Sequence, residues 1–296
     1  MWRESDTTAT SPRQSNTRER SLMLRGRVMR GMVLVGAMVG VGALVGAVGA
    51  ASAEERESRD TASYARLSGD VLLFTAAPGQ ENGVTVIDGA IFDRPSRVYI
   101  TDFVPIEPGP GCSYMYPNDD TVVLCDIPTG GVQVRAGDGE DSVNIDLPGP
   151  DIAWGQSGND HLDGTGEDTL YGGGGEDYLY NAGHQYGGHD FDALIGDEGA
   201  DHLDGGTGPD NIFGEGGDDT LVGSSGRDLL KGGDGDDVLR GEDDQDRLRG
   251  GPGNDRLYGG VNGDNLYGNS GDDLLHGGPG VDFLSGGPDD DEVHQD

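Results

Sequence analysis

The chain has 296 residues, of which 33% are hydrophobic, 6% are aromatic and 56 are glycine. This composition is poor material for one large globular core, and a formal net charge of −36 disfavours binding to nucleic acid or to anionic lipid. The charge is concentrated in residues 136–296, which hold 39 acidic and 6 basic residues. Such a segment would ordinarily be disordered, so a cationic partner is expected.

Residues 1–53 are predicted to form an N-terminal extension and a secretory signal peptide. Three arginines between positions 25 and 30 precede the apolar run MVLVGAMVGVGALVGAVGA, which is followed by Ala51-Ser52-Ala53. This layout is typical of a signal peptide, so we expect cleavage after Ala53 and a secreted, extracellular chain. The alternative is a retained membrane anchor, because the run has 19 residues. No second apolar run follows, so no membrane span is expected in the mature chain.

Residues 54–135 are predicted to form a small β-rich module. The short β-like runs VLLFT, VTVI, VYIT, TVVLC and VQVR alternate here with turns rich in Gly, Pro and Asn. The two cysteines of the chain, Cys112 and Cys125, lie in this part and are expected to form a disulfide in an oxidising compartment. The alternatives are two free thiols or half of a metal site. Neither an HExxH nor a GxSxG motif occurs, so we predict no enzyme and no catalytic residue.

A nine-residue repeat organises the rest of the chain. Residues 187–294 divide without a gap into twelve nonapeptides, each with Gly at position one, Asp at position six and Leu, Ile or Val at position eight. Four looser copies begin at Ala136, Gly155, Gly164 and Gly172. One aliphatic residue in nine cannot be buried by a single unit, so the units must stack. The repeat therefore predicts a flat solenoid with two short strands in each turn and its aliphatic residues between two parallel sheets.

Glycine at positions one, two and four of the repeat is predicted to supply positive φ angles, which other residues resist. Where position four is not Gly in residues 187–294, it is Asp190, Asp244, Asn262 or Asp289, and Asn and Asp tolerate that conformation best. The first six residues of each unit are therefore predicted to be a turn. The last three form a strand with its middle residue pointing inward.

The position-six aspartates are predicted to stack along two edges of the solenoid. With two nonapeptides in each turn, residues 18 apart become neighbours about 4.8 Å apart. Two carboxylates at that distance repel by roughly 3–4 kcal/mol at an effective dielectric near 20, so a cation is needed between turns. Calcium fits best, because it takes roughly six to eight oxygen ligands and no nitrogen or sulfur ligand recurs. The predicted metal ligands are Asp141, Asp160, Asp168, Asp177, Asp192, Asp201, Asp210, Asp219, Asp228, Asp237, Asp246, Asp255, Asp264, Asp273, Asp282 and Asp291.

The pattern GGxGxDxUx, with U a large aliphatic residue, resembles the hemolysin-type calcium-binding nonapeptide repeat of RTX proteins over residues 136–294. The resemblance implies an all-β fold, in which a parallel β-roll (an RTX β-solenoid) follows the small β-rich module. It also implies multiple Ca²⁺ ions, bound by the position-six carboxylates and by turn carbonyls, and a roll that orders only with calcium. The motifs LLFTAAPG, GVTVID and VYITD are similar to the N-terminal region of secreted actinobacterial calcium-binding proteins.

The sequence thus predicts a secreted calcium-binding protein that binds multiple Ca²⁺ ions and folds on binding outside the cell. Two alternatives stay open: a calcium-dependent cell-surface adhesin that binds cell wall or polysaccharide, and a non-catalytic remnant of an RTX exoenzyme. Lys231, Arg247 and Arg249 are expected on one outer face, and Arg240 and Arg256 on the other. Solvated strand residues are favoured there over a polysaccharide site.

The histidines raise a second metal hypothesis. His184 lies in the irregular insert NAGHQY, residues 181–186, and His189 follows five residues later. A surface loop that interrupts the roll is favoured over a histidine metal site.

Overall fold

The structure is a computed structural model, and it describes residues 62–88, 97–126 and 128–295. The predicted signal peptide and its cleavage point after Ala53 lie outside these residues. Every regular element of the described residues is a β-strand, and no helix among them is long and apolar enough to cross a membrane. The predicted all-β fold is confirmed.

The described residues form 26 strands. Those before the repeats are β1 (Ser63–Ser68), β2 (Val71–Thr75), β3 (Gly83–Asp88), β4 (Arg97–Thr101), β5 (Ile106–Pro108), β6 (Cys112–Tyr116) and β7 (Asp119–Asp126). The first half of the solenoid contains β8 (Val132–Asp138), β9 (Ser142–Asp146), β10 (Ile152–Ser157), β11 (His161–Asp163), β12 (Thr169–Gly174), β13 (Tyr178–Tyr180), β14 (His184–His189), β15 (Ala193–Ile195) and β16 (His202–Thr207). The second half contains β17 (Asn211–Gly216), β18 (Thr220–Ser225), β19 (Leu229–Asp234), β20 (Val238–Asp243), β21 (Arg247–Pro252), β22 (Arg256–Gly260), β23 (Asn265–Ser270), β24 (Leu274–His276), β25 (Phe283–Ser285) and β26 (Glu292–His294).

The strands form two sheets of 13 strands each. The even sheet has the order β26-β24-β22-β20-β18-β16-β14-β12-β10-β8-β2-β1-β5, and the odd sheet has the order β25-β23-β21-β19-β17-β15-β13-β11-β9-β3-β4-β7-β6. From β8 onward successive strands alternate between the sheets, and neighbours within a sheet are parallel. In the regular repeats paired residues are 18 positions apart, as His202 and Thr220 are. Two nonapeptides therefore make one turn of a parallel β-solenoid, as predicted.

One aliphatic side chain from each nonapeptide fills the space between the sheets. The position-eight residues from Leu194 to Leu275 are fully buried and belong to one hydrophobic cluster. The residues on either side of each one point outward, because side chains alternate across a strand. Burial falls at the last two repeats, where Leu284 is partly buried and Val293 is 48% exposed.

The strands before the repeats join the same two sheets. Strand β2 pairs in parallel with β8, and β3 pairs in parallel with β9. Strands β1 and β4 then add in the antiparallel direction, and β5 pairs in parallel with β1 at the end of the even sheet. Phe74, Val86 and Ile100 are buried in the same cluster as the solenoid leucines. Strand β8 spans positions 135 and 136, where the sequence predicts a domain boundary; that boundary stays a prediction.

The predicted disulfide is confirmed. Strands β6 and β7 are antiparallel neighbours, and Cys112 lies directly opposite Cys125 in their register. The two residues form a disulfide. It ties together the two outermost strands at one end of the odd sheet.

The insert NAGHQY is not a surface loop, so that prediction was wrong. Its last three residues begin β14, which pairs with β12 and β16 in the even sheet. Gln185 takes the inward core position and is fully buried. Its Nε2 donates to the carbonyls of Ala182 (3.1 Å) and Ile195 (2.8 Å). Hydrogen bonds of Gln185 replace the contacts of an aliphatic side chain here. The repeat pattern does not predict this strand, because the strand has no aliphatic residue at the inward position.

Leu248→Ala is expected to lower the free energy of unfolding in calcium-containing buffer by about 2–5 kcal/mol, because it leaves a cavity between the sheets. Chemical denaturation followed by far-UV circular dichroism measures the loss. Leu229→Ala is the matched control, since Leu229 lies on the outer face of the neighbouring strand β19 and is only half-buried. The control should cost less than about 1 kcal/mol; equal losses would contradict the single-leucine core.

Candidate metal centres

The position-six aspartates stand in two rows, one at each edge of the solenoid. The odd row lies in the turns that lead into odd-numbered strands, and it contains Asp141, Asp160, Asp177, Asp192, Asp210, Asp228, Asp246, Asp264 and Asp282. The even row lies in the turns that lead into even-numbered strands, and it contains Asp151, Asp168, Asp201, Asp219, Asp237, Asp255, Asp273 and Asp291. All sixteen predicted site residues are in these rows, together with Asp151.

A hydrogen bond joins most of the row aspartates to the next turn. The backbone N–H of Asp210 donates to Oδ1 of Asp228 (2.8 Å), and that of Asp228 donates to Oδ1 of Asp246 (2.9 Å). The same bond runs along the odd row from Asp141 to Asp282. It also runs along the even row from Asp201 to Asp291. The sequence predicted the stacking but not this ladder, which holds one carboxylate oxygen of nearly every row aspartate in place; the carboxylate of Asp201, which follows the short turn, is outside it.

The second carboxylate oxygen is buried without a partner in most of the row residues. Oδ2 has no hydrogen-bond partner in Asp141, Asp151, Asp160, Asp177, Asp192, Asp210, Asp219, Asp228, Asp237, Asp246, Asp255, Asp264 and Asp273. None of these thirteen side chains is more than 3% exposed. A buried charged oxygen without a partner is costly, so each of these positions favours a bound cation.

Burial and like charge raise the pKa of several aspartates in each row. The pKa is raised to about 8 at Asp192 and Asp246, to about 7 at Asp210 and to about 6 at Asp228. Burial is the largest cause in each case, and repulsion from nearby aspartates adds to it. The pKa of Asp237 in the even row is also raised to about 7, for the same reasons. A row without cations therefore resists ionisation near neutral pH.

Backbone carbonyl oxygens of one turn lie against the glycines of the next turn. A Cβ built on Gly208 would collide with the carbonyl oxygen of Asp190, and one built on Gly235 would collide with that of Gly217. Most residues at positions two and four are therefore crowded by the preceding turn and have positive φ as predicted, for example 139° at Gly235; Gly199 and Gly280 at position four do not have positive φ. The four residues that replace Gly at position four also have positive φ: Asp190, Asp244, Asn262 and Asp289.

Glycine at position one has a steric cause, so the prediction of positive φ there was wrong. Gly241 does not have a positive φ. A Cβ on Gly241 would collide with Oδ2 of Asp246 in its own unit, and would lie 2.6 Å from the carbonyl oxygen of Gly259 in the next turn. The first residue of the repeat must be Gly because the aspartate of the same repeat folds back over it.

The donor set consists of oxygen atoms. No group of three or more His, Cys, Asp or Glu side chains in residues 62–88, 97–126 and 128–295 is placed to hold a metal ion. A cation between turns would take carboxylate oxygens from the row and complete its shell with turn carbonyls and water. Such a flexible set of hard oxygen ligands fits Ca²⁺. His189, one of the two histidines of the less favoured hypothesis, has its Nδ1 hydrogen-bonded to Thr207 Oγ1 (2.8 Å).

Asp151 is a row residue that the sequence analysis missed. It is 2% exposed, its Oδ1 accepts the N–H of Val132 (2.6 Å), and burial raises its pKa to about 6. Its unit, DLPGPDIAW, covers residues 146–154 and has Asp146 at position one and Ala153 at position eight. Gly at position four and Asp at position six are kept, and this spacing is the signal that could have found it.

A short turn interrupts the even row. Gly183 stands where an aspartate is expected, and its carbonyl accepts the N–H of His202 (2.8 Å). On one side of it, Oδ2 of Asp168 accepts the N–H of Thr165 (2.8 Å). On the other side, Oδ2 of Asp201 accepts the N–H of Asp197 (2.8 Å). These two carboxylates are therefore satisfied within their own turns.

The last aspartate of each row is more open than the others. Asp282 and Asp291 are half-buried. Their Oδ1 atoms still accept the N–H of Asp264 (3.0 Å) and of Asp273 (3.1 Å). The rows thus continue to the end of the solenoid with less burial.

The repeats match a known family of sequence repeats. The RTX calcium-binding nonapeptide repeat (4 copies) matches residues 146–166, 162–183, 195–230, 222–257, 231–266 and 258–293. The first match includes the unit of Asp151. No curated protein matches the chain.

The stability of the calcium-free chain is expected to fall as the pH rises from about 4 to about 8. The folded pKa values of about 6 to 8 lie above the ordinary value near 4. Groups with a raised folded pKa stabilise the fold below the unfolded pKa, and that stability is lost as the pH rises through the folded pKa. Far-UV circular dichroism of metal-depleted protein at pH 5.5 and pH 8 tests this, because the β content should be lower at pH 8. A β content that is unchanged or higher at pH 8 would contradict it.

Asp237→Asn is expected to lower the free energy of unfolding in saturating calcium by about 1.5–3 kcal/mol, because a charged ligand is lost. In metal-depleted buffer the same substitution should raise stability, since it removes a buried charge. Asp201→Asn is the matched control in the same row, because its Oδ2 already accepts the N–H of Asp197. Urea denaturation measures the effect in saturating calcium, and the β content in the far-UV spectrum measures it in metal-depleted buffer. The ligand assignment fails if Asp237→Asn is destabilising in both buffers or if both variants behave alike.

Proposed function

Residues 146–183 and 195–293 are RTX calcium-binding nonapeptide repeats, and on this premise we propose that the chain is a secreted protein that folds outside the cell on binding several Ca²⁺ ions. The observation that carries the proposal is the set of thirteen buried Oδ2 atoms without a partner. They recur at every turn of both rows, except around the short turn and at the open end.

The aspartate rows couple calcium binding to folding. Neighbouring turns bring carboxylates into one buried stack, and their mutual repulsion opposes the fold. A cation bound between two turns replaces that repulsion with attraction to both. Since the ligands come together only in the folded solenoid, the free energy of binding becomes free energy of folding.

The proposed ligands are the position-six carboxylates together with turn carbonyls. The residues with a free Oδ2 are the strongest candidates, and Asp151 joins the sixteen that the sequence predicts. Asp168 and Asp201 are weaker candidates, because backbone N–H groups already occupy their Oδ2 atoms. The odd row then offers an unbroken series of sites, whereas the even row offers two shorter series.

Several observations support action outside the cell. The predicted signal peptide would export the chain, and the disulfide between Cys112 and Cys125 suits an oxidising compartment. We propose a structural or interaction role for the folded solenoid rather than catalysis. An adhesin is the second candidate, and it is favoured by the neighbouring basic residues Lys231, Arg247 and Arg249 on the outer face of the odd sheet.

Circular dichroism of residues 54–296 during a calcium titration tests the proposal. Calcium should produce a cooperative change from a coil spectrum to a β spectrum, and magnesium at the same concentrations should not. Magnesium is the matched control because it has the same charge but requires a stricter octahedron. A far-UV spectrum that does not respond to chelator and calcium would overturn folding on binding.

A further inference from the structure

The basic residues of the repeats are concentrated in one short segment. All six within residues 136–296 fall inside 30 positions, less than two turns of the solenoid, and they are Arg227, Lys231, Arg240, Arg247, Arg249 and Arg256. Dispersed cations would relieve the acidic charge of the repeats more evenly. The clustering of these six basic residues therefore indicates a local function.

Three of these residues form a patch on the outer face of the odd sheet. Lys231 and Arg249 are direct neighbours in strands β19 and β21. Arg247 lies two residues before Arg249 on the same face of β21. Both arginines are exposed and Lys231 is half-buried. These three residues are the cationic patch; Arg240 and Arg256 lie on the even sheet instead.

Aromatic rings hold the patch at both ends. The Nζ of Lys231 lies 4.7 Å from the ring centroid of Phe213, and the Cζ of Arg249 lies 5.7 Å from that of Tyr267. Phe213, Lys231, Arg249 and Tyr267 follow one another across four adjacent strands. Cation–π contacts of this kind fix the position of the cations without neutralising them.

The patch has no counterion of its own. Ion pairs among the described residues join Arg97 to Asp126 and His294 to Glu292. None of the patch residues is in one, although residues 136–296 hold 39 acidic residues. Neighbouring like charges on adjacent strands are unfavourable. An external anion would remove that cost.

We propose that the cationic patch binds an acidic polysaccharide that lies along the solenoid axis. Successive turns present equivalent side chains about 4.8 Å apart, which suits a linear polymer with regularly spaced carboxylate or sulfate groups. Asn211 and Asn265 flank the row of Arg247 on the same face. Their amides can donate to and accept from sugar hydroxyls.

The surroundings favour a narrow chain over a broad anionic surface. The patch spans two adjacent strands and lies between the two aspartate rows. A membrane surface or a duplex would also approach the acidic edges. At physiological ionic strength this repulsion is largely screened beyond about 8 Å, so it acts on an anion that touches the edges and not on one that stays away from them. A single polysaccharide strand can follow the face and stay away from both edges.

This inference rests on the proposed function, because Lys231 and Arg249 become neighbours only in the folded solenoid. Calcium in the rows would also neutralise the edges beside the patch. Binding of the polysaccharide is therefore expected in calcium and is expected to be lost in chelator. Circular dichroism of the same samples separates the two proposals: a missing calcium transition overturns folding on binding, whereas a normal transition without binding overturns the patch alone.

The test measures binding of residues 54–296 to dextran sulfate and to carboxymethyl dextran in calcium, with neutral dextran as the blank. The double variant Lys231→Gln/Arg249→Gln should bind at least one of the charged dextrans about tenfold more weakly than the unaltered chain. Arg240→Gln/Arg256→Gln is the matched control, because it removes the same charge from the even sheet; its binding should change by less than about twofold. The dextran that responds identifies the anionic group as sulfate or carboxylate.

Three results would overturn the patch: no binding of either charged dextran, equal weakening in the two double variants, or binding of phosphatidylglycerol vesicles in place of the dextrans. Far-UV spectra in calcium confirm that each variant is folded. Arg247→Gln, at an exposed position of β21, replaces the double variant if that variant loses the β spectrum. It should still weaken binding by about threefold or more.

Discussion

The rest of the solenoid depends on the repulsion between buried carboxylates in successive turns. Most turns place an aspartate above the previous one, with one oxygen fixed by a backbone N–H and the other left without a partner. Each buried leucine of the repeats is accompanied by a buried aspartate, because the turn that carries the aspartate leads into the strand that carries the leucine. The repeats therefore combine a minimal apolar core with an ionic requirement that an external cation must satisfy.

The same aspartates explain why the repeat contains so much glycine. Position one is Gly because the carboxylate of its own unit covers it, and positions two and four are crowded by carbonyls of the preceding turn. The oxygen atoms that exclude larger side chains are the atoms that can hold calcium. Composition that looks unsuited to folding is thus the composition that a stack of cation sites requires.

The regular part of this fold could be predicted from the sequence, and the irregular parts could not. The nine-residue period gives the strands, the two rows and the inward leucines, because identical units must take identical places. It failed at Gln185, where hydrogen bonds fill a core position. It also missed Asp151, whose unit lacks the first Gly. The partners of the Oδ1 atoms depend on contacts between turns that no single repeat contains. The satisfied Oδ2 of Asp201 depends on the conformation of its own turn, which the period alone does not specify.

The alternation of strands between two sheets constrains how such a chain can change in length. Adding or removing 18 residues preserves the row and the sheet of every residue that follows. Adding nine residues before Arg227 would exchange the sheets and move the cationic patch to the opposite face. Repeats can therefore be gained or lost in pairs while the surfaces of the solenoid stay in place. Gain or loss of an odd number of repeats moves the side chains that follow to the opposite sheet.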